Sequence, residues 1–326
     1  MTTNRPSFRR PPTSRRARGL LIGATLLWGA SFPLLRGLQL AQEAHAPDVP
    51  DAVLACADLA VRFALATLIL LPIYGRDLLR GVTRREWSQA LGLGLLAGAG
   101  LYLQTLGLAW TDASISAFLT QLYTLIVPLI VALRDRRWPS GRIVAACGMV
   151  LAGAAFLSPG LLTHFILGRG EIITLLSTGF FAAQIVWVER PLYAENRSGV
   201  VTLLMFATIA LIFAAAYPAL GGTARFGLSL FDRAADGELM LALVLFCTVL
   251  SFFIMNTWQR FISATEAGLI YCLEPVIASV LAAFFPGWIS SLAGISYPDE
   301  SLRWGLFVGG GLIVGATVLA ATQRRA

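Results

Sequence analysis

Residues Thr265–Phe285, TEAGLIYCLEPVIASVLAAFF, form an apolar run of about the length, roughly 20 residues, that crosses a bilayer as a helix. Glu274 stands at its centre, followed directly by Pro275. A carboxylate at that depth costs at least about 2–3 kcal/mol, so it normally faces a cavity or a partner. Pro275 removes one backbone donor and obstructs the preceding turn. The carbonyl left without a partner is tolerated only against protein or water. Tyr271 lies three residues before Glu274, a spacing that puts both side chains on one helix face. The stretch reads as the wall of a permeation pathway.

The whole chain is built from such segments. It has 326 residues, 57% apolar and 13% charged, with a mean hydropathy of +0.73. Soluble domains carry roughly 25% charged residues, so an ordinary soluble protein is excluded. Apolar spans fall at 19–39, 54–75, 88–109, 113–133, 141–159, 171–188, 199–219, 238–257, 265–285 and 304–322. Residues 1–18, with six arginines and three prolines, read as a disordered basic tail. Every basic residue is arginine. With both termini cytoplasmic, 19 arginines fall on the inner side and five on the outer, and Arg62 is left inside a span. That bias follows the positive-inside rule and fixes the expected orientation. The net charge of +7 is thus a topology signal, and no nucleic-acid partner is expected. Membrane lipid is.

The sequence also repeats. TDASISAFLTQL from Thr111 aligns with TEAGLIYCLEPV from Thr265 at an offset of 154, which places Thr120 on Glu274. LLIGATLLWGASFPLLR, ending at Arg36, aligns with LLSTGFFAAQIVWVER, ending at Arg190, at the same offset. GMVLAGA at Gly148 aligns with GGLIVGA at Gly310 at 162, the extra residues lying in the last outer loop, GWISSLAGISYPDES. Each repeat, 19–159 and 171–322, holds five spans. Five is odd, so the second copy runs inverted through the membrane, as in many secondary transporters. The expected fold is all-α, with ten transmembrane helices as two inverted five-helix repeats.

These residues carry a family resemblance. LLWGASFPLLR in span one, Arg62-Phe63 in span two, TDASISAFLTQLYTLIVPLIVAL in span four and ATEAGLIYCLEPVIASVLAAFF with GLFVGGGLIVGATVL at the end resemble the drug/metabolite transporter superfamily, EamA type. The likeness covers essentially residues 19–322. It implies a central cavity lined by both repeats and transport of small metabolites across the bacterial inner membrane, often as export. Two loops depart from the family pattern: RDRRWPSGR after span four and PGWISSLAGISYPDES before the last span, where members usually carry Gly-Glu.

Arg62 lies near the centre of span two, with Asp58 four residues earlier on the same face. Guanidinium stays charged and grips carboxylates through two parallel hydrogen bonds. Arg62 therefore either receives an anionic substrate group or is held in an internal pair with Asp58 or Glu274. Glu274 is a proton-coupling site, a ligand for a substrate amine, or a structural partner. Tyr271, Trp28, Gln104, Thr120 and Gln184 complete the expected cavity wall. Ser31, Tyr102, Ser116, Tyr123, Ser177 and Asn256 are weaker candidates, because hydroxyl and amide side chains in membrane helices commonly tie helices together. His45 and His164 fall in expected outer loops and are assigned no role. The four cysteines show neither metal nor redox spacing, and no metal or cofactor is expected. A Walker loop needs a lysine, which the chain lacks, and neither HExxH nor GxSxG appears. The expectation is a transporter rather than an enzyme, working by alternating access, with an uncoupled facilitator or channel of the same fold as its rival. A purely structural membrane subunit is a more distant one. Its oligomeric state, monomer or homodimer, is open.

Overall fold

In a computed structural model of the chain, residues 13–157, 168–223, 230–301 and 304–321 are described. They are helical throughout their ordered segments and contain no strand. Residues 1–12 and the loop with His164 lie outside the described set. Helix α1 spans Thr13–His45, α2 Asp51–Leu79 and α3 Arg84–Leu108. Two half-helices follow, α4 Ala113–Thr120 and α5 Tyr123–Asp135, then α6 Gly141–Leu157, α7 Arg169–Val188 and α8 Ser198–Ala219. The next span is composite: α9 Ala234–Ala242, a π-helical segment Leu243–Leu250, and α10 Ser251–Trp258. It is followed by α11 Ala264–Tyr271, α12 Glu274–Leu281, α13 Phe285–Ala293 and α14 Trp304–Ala321.

Among the described residues, eight of the expected spans are long and apolar enough to cross a membrane. The fifth and tenth, α6 and α14, carry only the shorter apolar stretches Gly141–Gly153 and Phe307–Leu319. α1 begins at Thr13, so the last residues of the expected tail are helical. Arg18 anchors there, its Nε 2.6 Å from Glu266 Oε1 on α11. A second departure is α13, which occupies the last expected loop. It is an amphipathic single piece whose Ile289 packs on Gly37 of α1, ended by Gly294 at φ 66°, a left-handed position that suits glycine.

The helices pack in recurring pairs: α2 on α8, α3 on α7, α6 on α14, and α1 along the π segment and α10. Glycine allows the closest of these approaches. A Cβ on Gly170 of α7 would stand 2.8 Å from the Gly107 carbonyl of α3, and a Cβ on Gly107 would meet the Gly170 carbonyl at the same distance. Small residues are how membrane helices bring their backbones together.

At the Arg84 end of α3, Thr83 and Glu86 form a capping box. Glu86 also accepts from Arg197 Nε at 2.7 Å, Arg197 Nη2 at 2.9 Å and the Arg197 amide at 3.2 Å. The guanidinium continues to the carbonyls of Asp77 and Gly81, tying α2, α3 and α8 at one point. Glu86→Ala removes a cap and strands a charge, a loss of about 2–3 kcal/mol. The expected outcome is a lower aggregation temperature in detergent, followed by size-exclusion chromatography after heating. An unchanged profile would show the junction to be dispensable.

Candidate functional site

Two membrane spans are broken at mid-length, and the breaks build the site. In the first, the amides of Gln121 and Leu122 turn back to the carbonyls of Phe118 and Leu119 at 3.0 and 3.1 Å, tightening the last turn of α4 and separating it from α5. In the second, the Leu273 amide reaches Ile270 O at 3.1 Å, and Pro275 has no N–H to offer the Tyr271 carbonyl. Thr120 therefore ends α4, Tyr271 ends α11 and Glu274 begins α12. All three line one cavity with Trp28, Arg62, Gln104 and Gln184, in a space of about 660 Å³ counted out to its open mouth. All seven residues singled out from the sequence are thus brought together. The span does not run as one unbroken helix from Tyr271 to Glu274, yet both side chains reach the same space.

Arg62 is 4% exposed and is held from the π segment. Its Nε donates to Thr248 Oγ1, and Nη2 reaches the Cys247 carbonyl at 3.4 Å. Thr248 in turn donates to the Leu243 carbonyl five residues back, a bond that the wider π turn makes available. Asp58 does not form the expected contact pair with Arg62. Its Oδ1 accepts from Gln42 Nε2 at 2.8 Å, and it acts on Arg62 only through its field. Nor do Arg62 and Glu274 pair with each other: Glu274, 7% exposed, accepts from Gln121 Nε2 at 3.1 Å. A cation and an acid thus border the same cavity, each anchored separately by neutral groups.

The other walls are partly anchored and partly open to a ligand. Gln104 donates to Thr120 Oγ1 at 3.0 Å, and Thr120 donates to the Ser116 carbonyl at 2.8 Å. Tyr271 donates to Gln259 Oε1 at 2.9 Å, and Gln259 continues to the Ile185 carbonyl at 2.7 Å. Trp28 meets the rings of Tyr271 and Phe252 edge to face, at 5.2 and 5.5 Å. Two buried donors, Trp28 Nε1 and Gln184 Nε2, have no partner. An unmatched buried donor is costly, and a ligand's oxygen would satisfy it.

Of the weaker candidates, Ser31 and Tyr123 line the cavity. Tyr102 stacks on Phe213 and reaches the Ala52 carbonyl. Ser177 bonds its own helix at Thr174, and Asn256 bonds Thr202. Ser116 gives its carbonyl to Thr120. Sequence reading missed Gln121, Thr248, Thr105 and the apolar face of Phe181, Phe252 and Met255. For Gln121 there was a signal, an amide beside Thr120 in mid-span. For Thr248 there was none, because its role depends on a π turn.

Comparison with known proteins places this geometry. Residues 17–158 match the EamA-like transporter family. The EamA match takes in α1 to α6 and, with them, Trp28, Arg62, Gln104 and Thr120. A relative from Archaeoglobus fulgidus, named an uncharacterized transporter, is 24% identical over 260 residues, 79% of this chain and 74% of its own length. A solved crystal structure superposes with a TM-score of 0.60 over 92% of this chain and 96% of the other, at 19% identity, a likeness of fold. The EamA match and the eight apolar helices among the described residues support a multi-pass membrane transporter.

Proposed function

We propose that the protein moves a small zwitterionic or anionic metabolite, such as an amino acid, by alternating access, with Arg62 receiving the substrate's negative group and Glu274 either its amine or the coupling proton. The observation that carries this reading is the separation of the two charges. Arg62 and Glu274 border one cavity but are held by Thr248 and Gln121, so neither neutralises the other.

The ten-span inverted repeat remains part of the proposal, with α6 and α14 as the fifth and tenth spans. Two observations support it. Under the 154-residue offset the two helix breaks fall within about one turn of each other. A two-fold exchange of the halves also converts the packing of α3 on α7 into that of the α9–α10 span on α1, while α2–α8 and α6–α14 map onto themselves. Discontinuous helices in corresponding positions are where such transporters hold their substrates. Arginine placement supports cytoplasmic termini, and a bacterial inner membrane follows from the family resemblance. Export rests on the family resemblance alone.

A second reading has its own support. The Gln121–Glu274 bond joins the two broken spans, so Glu274 would be structural and the protein an uncoupled facilitator. Uptake of radiolabelled amino acids and small metabolites into proteoliposomes, with and without an imposed pH gradient, separates the two. Proton coupling through Glu274 predicts flux driven by the gradient and at least about tenfold weaker in Glu274→Gln, the loss of roughly 1.4 kcal/mol of driving interaction. Flux indifferent to both the gradient and the substitution favours the facilitator. No flux of any solute tested would count against the substrate class.

A further inference from the structure

A second set of ionisable groups lies behind the cavity, where α1, α2 and α9 meet. Asp58 and Asp236 are 1% and 0% exposed. Asp58 Oδ2, both Asp236 carboxylate oxygens and Gln42 Oε1 are buried without a hydrogen-bond partner. All four are acceptors, so what the site lacks is a hydrogen or a cation. The two acids lie close enough to act on each other electrostatically. His45, whose side chain is 25% exposed, places Nε2 3.7 Å from Asp236 Oδ2 and connects the site to the surface. Arg233, at the start of α9, acts on Asp236 from the other side while donating to the Ala293 carbonyl at 3.0 Å. Arg62, one turn on from Asp58, joins the site to the cavity. The neighbouring α8 and α13 bring no charged side chain, and the π segment brings only Cys247, which faces Arg62. Among the described residues no group of three or more His, Cys, Asp or Glu side chains is placed to hold a metal ion, and a proton is the simplest ligand that gives these oxygens a hydrogen.

We infer that Asp58 and Asp236 form a proton-binding pair, reached through His45 and separate from Glu274. The imidazolium Nε2–H of His45 hands its proton to Asp236 Oδ2, and His45 is left neutral. A proton on the pair withdraws a negative charge from the surroundings of Arg62, so more of the guanidinium's field is available to an anion in the cavity. Proton and anion then favour each other's binding, and the coupling is reciprocal. This last step rests on the reading of Arg62 given above, whereas the proton site stands without it.

The test needs no substrate. Protein carrying carboxyl-13C aspartate, reconstituted in nanodiscs, is titrated from acid to mildly alkaline pH and followed by infrared difference spectroscopy. The expected result is an isotope-shifted band of protonated aspartic acid that titrates in this range. The band is lost in Asp236→Asn or Asp58→Asn, kept in Glu274→Gln, and shifted in midpoint by His45→Gln. Absence of the band from the labelled wild type, where no variant has to fold, would overturn the proposal, as would its persistence in both aspartate variants. A positive titration beside silent transport assays would leave the proton site standing while the substrate reading fell.

Discussion

Arg62→Gln, reconstituted in proteoliposomes, is expected to lower uptake of the best-transported solute by about 30-fold or more while leaving the protein monodisperse. Losing a desolvated charge partner for an anion costs about 2–5 kcal/mol, and each 1.4 kcal/mol is tenfold. Glutamine keeps a donor that can reach Thr248, so the anchor to the π segment survives and the missing quantity is charge. Arg62→Lys is the informative companion. It restores the charge but not the planar fork that bonds Thr248 and the Cys247 carbonyl together, and an intermediate rate follows. Uptake at the wild-type rate in both variants would remove Arg62 from substrate binding and leave it as a brace between α2 and the π segment.

Gly170→Leu is expected to be the most damaging substitution for folding. The new Cβ would stand 2.8 Å from the Gly107 carbonyl and 2.9 Å from the backbone of Trp110. These are backbone atoms that no side-chain rotation can clear. Overpacking of this kind costs about 1–3 kcal/mol and more where relaxation is blocked, so α3 and α7 must separate. Gly170→Ala meets the same atoms with less bulk beyond them and should fall between. The measurement is the fraction of protein remaining monodisperse in detergent after a heat step. A Gly170→Leu curve superimposable on the wild type would show that the close approach is not required.

Much of the site was readable before the fold was. Glu274-Pro275 announced both a charge and a broken ladder inside hydrocarbon, and a membrane interior tolerates neither without a cavity. Arg62, Trp28, Gln104, Thr120 and Gln184 stood out for the same reason, as polar groups where lipid penalises them. What holds those groups was not readable. Gln121 meets Glu274 and Thr248 meets Arg62 across 153 and 186 residues, and no periodicity encodes pairing at that range. α13 escaped notice because a nine-residue helix with two serines and a glycine carries little pattern. The depth of α1 was misjudged at its start, since arginines that look like a tail also make a serviceable helix when one of them meets Glu266.

The π turn between Leu243 and Leu250 has a consequence for what evolution can do with this span. A π turn spends about one residue more than an α turn covering the same height. Everything after it, Phe252 and Met255 in the cavity wall included, is rotated by roughly 100° from where an uninterrupted helix would put it, one residue's share of a 3.6-residue turn. Deleting a single residue here would give a more regular and more stable helix. It would also swing the wall away from Arg62 and withdraw the Thr248 hydroxyl that holds it. The irregularity acts as a phase setting: the span can gain stability or keep its cavity aligned, but a one-residue deletion does not deliver both.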